Sequence, residues 1–229
     1  MVQQMLAGEP FGPLSLEACG LGKSYGDAAI LEDASFKVEG GTSVAFVSPS
    51  GSGKSTLLSM LGLLLTPTAG SVIVDGQDAS ALDDDAKSAL RLRRFGFIFQ
   101  HTQLVGSLCA VENVAVPAGF SGGALSDASN RAVALLEQLG LSERLYHYPY
   151  QLSIGQKRRV ATARALLMDP PILIADEPTN DLDAESTHSV ADVLFEHVER
   201  GGILLFATHD QALAARADRV MHLDGKTFV

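Results

Sequence analysis

Apolar residues fall into two rhythms along this chain. Short strand-like runs, at 14–18, 34–38, 43–47, 70–76, 95–99, 172–175, 203–207 and 219–223, have the length of strands, and most carry β-branched or aromatic residues. Between them lie stretches whose apolar positions recur every three to four residues, which predicts helices from about 54, over 83–94, 110–116, 126–139, 155–168, 184–199 and 211–217. Tyr25-Gly26-Asp27, Glu39-Gly40-Gly41 and Asp75-Gly76 carry turn chemistry, and 117–123 reads as a loose connector. Runs such as Ile172-Leu173-Ile174-Ala175 do not alternate, as expected of parallel strands covered on both faces. The helical stretch of roughly seventy residues before 172 interrupts an otherwise doubly wound strand–helix pattern. The order predicts an α/β fold, as one large domain or two small lobes.

Composition narrows the function. The chain has 229 residues, 46% of them hydrophobic, enough for a sizeable core. Its 17 basic and 27 acidic residues leave a net charge of −10, which argues against a nucleic-acid or anionic-lipid surface. Cys19 and Cys109 form no C-x-x-C pair and read as small core hydrophobes in a reducing cytoplasm. Residues 1–13 lack the basic cluster and apolar segment of a signal peptide, and nothing approaches a membrane span, so a soluble protein is expected.

The densest chemistry follows the run 44–47. Ser48-Pro49-Ser50-Gly51-Ser52-Gly53-Lys54-Ser55-Thr56 joins a buried strand to a helix start, the pattern of a phosphate cradle. Gly51 and Gly53 let the backbone fold into a nest of inward N–H groups, to which the helix start adds its own. Lys54 is placed to reach β- and γ-phosphates and Ser55 to hold Mg²⁺. Ser48 stands where the pattern has its first glycine, but the following Pro49 favours extended geometry that serine adopts without cost. The bland alternative is a Gly/Ser turn capping an ordinary helix.

Two further apolar runs end in chemistry. Residues 172–175 lead to Asp176-Glu177, and ligands of open α/β sheets bind beyond such strand ends. Asp176 is positioned for the Mg²⁺ shell and Glu177 to polarise a water against the γ-phosphate; alone, the pair would be an ordinary surface turn. Residues 203–207 lead to Thr208-His209, whose imidazole can sense the same phosphate. His101, His147, His188, His197 and His222 have no such setting and are expected at the surface. Gln100, after 95–99, can ligate the metal or a water. In Leu152-Ser153-Ile154-Gly155-Gln156-Lys157-Arg158-Arg159 three cations crowd a helix start, where the dipole disfavours them. Either an anion binds there, with Ser153 as a contact, or the segment is a solvated basic face; spacing does not choose.

Taken together, these segments resemble the ATP-binding subunits of ABC transporters along nearly the whole chain. Ser48–Thr56 is similar to Walker A, Gln100 to the Q-loop, 152–156 to the LSGGQ signature and 172–177 to Walker B. Residues 180–183 are similar to the D-loop, His209 to the switch histidine, and Tyr25 to the aromatic that stacks on adenine. The tracts 95–100, 111–114 and 175–179 look closest to the branch serving lipoprotein release, macrolide and peptide export, and cell division.

The resemblance implies a P-loop NTPase of ABC type: a mixed-sheet core with an N-terminal antiparallel β subdomain and a helical insertion. On that division, 14–229 is one domain, with 14–100 and 170–229 as core, 101–169 helical and 1–13 an extension. It also implies ATP and Mg²⁺ as ligands, Glu177 as base, and Ser55, Gln100 and Asp176 around the metal. A head-to-tail dimer, with itself or a paralogous ATPase, would place Ser153, Gly155, Gln156 and Asp183 against the partner's nucleotide. The segment 100–116 would pass motion to an integral membrane permease, with this subunit peripheral on the cytoplasmic face.

Ile154 replaces the signature's first glycine, and a β-branched residue resists positive φ and close backbone approach. Weak closure or slow turnover is therefore expected. The alternatives in function are an ATPase that pulls on a permease-like partner without moving cargo, a soluble ATPase acting on nucleic acid, and a regulatory cassette that binds ATP without hydrolysing it.

Overall fold

The computed structural model describes residues 11–49, 51–121, 125–224 and 227–228. Strands β1 (Ser15–Tyr25) and β2 (Ala28–Glu39) pair antiparallel across the Gly26-Asp27 turn. After Gly40-Gly41 the chain enters β3 (Thr42–Val47) and helix α1 (Lys54–Leu61). It then returns to the hairpin as β4 (Ala69–Val74) and β5 (Gln77–Asp78), completing a sheet of order β2-β1-β4-β5. Helix α2 (Asp84–Arg94), N-capped by the Asp83 carboxylate, leads into β6 (Phe95–Ile98). Asp84 and Asp85 at its start and Arg91, Arg93 and Arg94 at its end match the helix dipole.

The next stretch is helical: α3 (Ala110–Ala115), α4 (Ala118–Ser121), α5 (Leu125–Gln138) and α6 (Ile154–Leu166), with 3-10 turns at Ser142–Arg144 and Pro149–Gln151. Then come β7 (Ile172–Asp176), α7 (Ala184–Glu199), β8 (Ile203–Ala207), α8 (Gln211–Ala214), β9 (Arg219–Asp224) and β10 (Thr227–Phe228). The second sheet has order β10-β9-β3-β8-β7-β6, parallel from β9 to β6, with β10 antiparallel at its edge.

Why the central runs show no polar alternation is visible in the two cores. Side chains alternate between the faces of a strand. Ile172, Ile174, Ile203 and Leu205 pack on one face with Leu57, Leu58 and Leu61 of α1 and with β1 and β2. Leu173, Ala175, Leu204 and Phe206 pack on the other with α3, α5, α6 and α7. Both faces are covered, so both phases are apolar. Gly96 sits where β6 meets this packing; a Cβ there would lie 2.5 Å from the Ala165 carbonyl oxygen and 2.7 Å from Leu173.

Several sequence expectations need correction. β1 and β2 run well past 14–18 and 34–38, because register shifts after Ala18, Leu21 and Lys23 break the alternation. Residues 118–121 of the expected connector form α4, and 122–124 lie outside the described residues. Cys109 is buried but Cys19 only partly so. His197, expected at the surface, is 2% exposed on the inner face of α7. Its ring lies against Phe11 and beside Arg200, whose guanidinium bonds Asp169 at 2.6 Å. Neither ring nitrogen has a well-formed hydrogen bond, and burial first, then the Arg200 charge, lowers its pKa to about 4. Among the described residues, no helix is long and apolar enough to cross a membrane.

Candidate functional site

Parallel strands deliver their carboxyl ends to one edge of the sheet, and the chemistry sits there. Beyond β3, Gly51 and Gly53 take φ of 78° and 100°, a left-handed geometry that L side chains avoid. Gly53 directly precedes α1, so the unpaired N–H groups of the first turn open toward the loop. Lys54 is largely buried and lies along the loop, its Nζ donating to the carbonyls of Ser48 (2.5 Å) and Pro49 (3.1 Å). Ser48 has no positive φ, in keeping with the expected tolerance of serine, and its hydroxyl is hydrogen-bonded to that of Ser52. Ser50 lies outside the described residues.

The tip of β7 meets this cradle. The Ser55 hydroxyl donates to Asp176 Oδ2 at 2.5 Å, across 121 residues of sequence. Burial pushes the Asp176 carboxyl above its usual range, while the Ser55 hydrogen bond opposes the shift. Glu177, next along, has φ of 52°, which turns its side chain away from that of Asp176. Its Oε2 accepts from the backbone N–H of His209 at 3.4 Å and lies 2.9 Å from His209 Nδ1. Three strand tips are thus joined by side-chain contacts.

A cleft of about 320 Å³ opens here, walled by Tyr25, Ile30, Gly51 to Thr56, Gln100, Asp176 and Glu177; Ser48, Pro49 and His209 do not line it, His209 standing behind the Glu177 carboxylate. The polar end carries one lysine, helix-start amides and two carboxylates, an arrangement suited to a polyphosphate with a hard cation. Tyr25, at the end of β1, and Ile30 offer an apolar wall for a planar ring. The sequence reading missed Ile30, whose only signal is an apolar residue shortly after the Tyr25 hairpin turn. Among the described residues, no cluster of three or more His, Cys, Asp or Glu could cage a metal. A cation here would keep water and ligand oxygens in its shell, as Mg²⁺ does.

The single chain does not bring Ser153, Gly155, Gln156 or Asp183 to this cleft. Ser153 and Gln156 instead form a capping box at the start of α6, with Gln156 N to Ser153 Oγ at 3.2 Å and Ser153 N to Gln156 Oε1 at 3.0 Å. Asp183 caps α7, accepting from Ser186 N at 2.8 Å and Ser186 Oγ at 3.0 Å, which lowers its pKa. Ile154 is the first residue of α6, without positive φ and 63% exposed, so the expected backbone strain is not met. The crowded cations are also partly resolved within the chain. Arg158 turns inward, and Arg159 donates to the Leu139 carbonyl at 3.0 Å.

Comparison with known proteins gives the family. The family described as ABC transporter matches residues 31–180. A macrolide export ATP-binding/permease protein MacB of Hyphomonas neptunium is 48% identical over 197 residues, covering 86% of this chain and 30% of the relative. The lipoprotein-releasing system ATP-binding protein LolD of the same organism is 44% identical over 217 residues, covering 92% of this chain and 95% of the relative. The chain thus spans only about a third of the length of the macrolide exporters it matches. Among solved structures, the ATP-binding cassette MJ0796, as a post-hydrolysis dimer bound to ADP and Pi, superposes with a TM-score of 0.88 at 34% identity. That likeness covers 93% of this chain and 96% of the other. The chain belongs to the ABC transporter family and carries that family's ATP-binding cassette.

Proposed function

We propose that this protein binds and hydrolyses ATP to drive a membrane permease that exports or extracts an amphiphilic, lipoprotein, peptide or macrolide-like substrate. The observation that carries this is the joining of Lys54, Ser55–Asp176 and Glu177–His209 around one cleft. In this reading the backbone of 51–56 and Lys54 hold the triphosphate, and Tyr25 stacks on the base. Ser55, Asp176 and Gln100 would hold Mg²⁺; hydroxyl, carboxylate and amide oxygens are the hard donors it takes. When bound, Mg²⁺ would neutralise charge on the phosphate oxygens. Glu177 accepts the proton of the attacking water, and His209 fixes the Glu177 carboxylate and senses the γ-phosphate. Most of the rate then comes from positioning and charge stabilisation.

The helical layer, residues 101–169, is read as a unit that moves against the core formed by 14–100 and 170–229. The signature residues Ser153, Gly155 and Gln156, with Asp183, would contact the nucleotide of a second cassette in a head-to-tail dimer. MJ0796, a cassette crystallised as a dimer, supports that arrangement. A largely apolar groove of about 620 Å³, lined by Leu64, Phe97, Phe99, Val116, Phe120 and Met168 among others, supports permease docking beside the segment 100–116. Phe120 is 76% exposed there. The subunit would then sit peripherally on the cytoplasmic face of the membrane.

The test is direct. Lys54→Ala is expected to lose ATP binding in a fluorescent-nucleotide titration. Glu177→Gln is expected to keep binding and lose about a hundredfold or more in hydrolysis rate. A Glu177→Gln protein at full rate would move the base elsewhere.

A further inference from the structure

Arg158 is the one arginine of the signature segment whose side chain reaches the ends of two other strands. It projects from α6, is 3% exposed, and spreads its guanidinium over three separate segments. Nη1 donates to the Glu177 carbonyl at 2.8 Å and Nη2 to the Gln100 carbonyl at 3.1 Å. Nη2 also lies 3.5 Å from Asp181 Oδ2, in the turn before α7.

Burying a cation is costly unless its donors are satisfied. Here two of the three acceptors are neutral carbonyls and the one carboxylate is half exposed, so charge neutralisation is a poor reason for this placement. What the planar fork supplies is fixed geometry between elements. Glu177 has φ of 52°, uncommon for a residue other than Gly, Asn or Asp, and Asp181 has φ of 62°, which aspartate adopts more readily. Both touch Arg158. Glu177 is therefore held at both ends, its carbonyl by Arg158 and its carboxylate by His209.

We propose that Arg158 is a positioning residue that ties the signature helix α6 to the candidate base Glu177 and to Gln100. Any rotation of α6 must carry the Arg158 guanidinium with it, and so shifts or releases the two carbonyls it holds. Movement of the helical layer is thereby converted into alignment of the Glu177 carboxylate, with no contact between Arg158 and ATP. This rests on the reading of Glu177 as base.

The experiment measures steady-state ATP hydrolysis and fluorescent-ATP affinity for the full chain and its Arg158→Met, Arg158→Lys and Glu177→Gln variants. Arg158→Met is expected to lower kcat about tenfold or more while KM and affinity stay within about twofold. Arg158→Lys, which keeps a donor on a similar stem, should recover part of that loss. Wild-type kcat in Arg158→Met, a parallel fall of kcat and affinity, or a Lys variant no better than Met would overturn the proposal. Should Arg158→Met not fold, a folded Arg158→Lys decides: lowered kcat at unchanged affinity supports it, and unchanged kcat overturns it. Glu177→Gln separates the two ideas. A slow Glu177→Gln beside a fast Arg158→Met leaves the base in place and removes only Arg158, whereas a fast Glu177→Gln removes both.

Discussion

Glu177 and Asp176 are adjacent in sequence yet make different contacts because their backbones differ. The left-handed φ of Glu177 sends its carboxylate to His209, while Asp176 completes β7 and faces Ser55. That an acid pair and a histidine follow buried apolar runs was legible from the sequence, and the structure brings Glu177 and His209 into contact. The turn at Glu177 was not legible, because nothing in Asp-Glu-Pro announces positive φ. Arg158 shows the same limit: a cation near a helix start suggests a bound anion, but the helix phase that aims it inward is set by tertiary packing. Ile154 carries a prediction at this scale. Its backbone is unstrained, so the obstacle it presents is its exposed side chain at the surface read as facing a second cassette. Ile154→Gly should raise kcat severalfold, at a stability cost of about 1 kcal/mol or less for glycine in the first turn. An unchanged or lower kcat would count against a steric role.

Elements were mostly legible because burial on two faces leaves an unmistakable apolar run, and α7 and β8 match the predicted 184–199 and 203–207. The bulged strands β1 and β2 were not, since each register shift resets the alternation. Packing between elements yields two predictions. Gly96→Ala places a methyl group 2.5 Å from the Ala165 carbonyl oxygen, with β6 and α6 both backed by core. It should destabilise the protein by about 1–3 kcal/mol in urea unfolding, and a variant as stable as wild type would mean that these elements yield freely. His197 anchors the second. Unfolded, it titrates near 6.5; folded, near 4, amid Arg200 and Asp169. Between those values the unfolded chain holds the extra proton, so this contribution is complete above the upper value and is lost as pH falls toward the lower. The drop in unfolding free energy from neutral pH to about pH 4.5 should therefore be about 2 kcal/mol smaller in His197→Leu than in wild type. An identical pH dependence would show that the imidazole is not held neutral by the fold.

For the whole molecule, the strands converge on one cleft while the signature residues stand apart from it, capping α6. One chain thus holds a cradle and, apart from it, the surface proposed above to face a second cassette. ATP should drive Glu177→Gln into a dimer by light scattering, and Lys54→Ala should remain monomeric at the same concentration. A Glu177→Gln protein that stays monomeric with saturating ATP would remove the sandwich arrangement. Whether separate strand tips grip one magnesium-bound triphosphate is decided by a structure with a non-hydrolysable ATP analogue and Mg²⁺. Phosphates are expected against the amides of 51–56, with Lys54 Nζ moved from the Ser48 and Pro49 carbonyls onto phosphate oxygens and the metal between Ser55 and Asp176. A nucleotide bound outside this cleft, or inside it with Lys54 still on those carbonyls, would contradict this expectation.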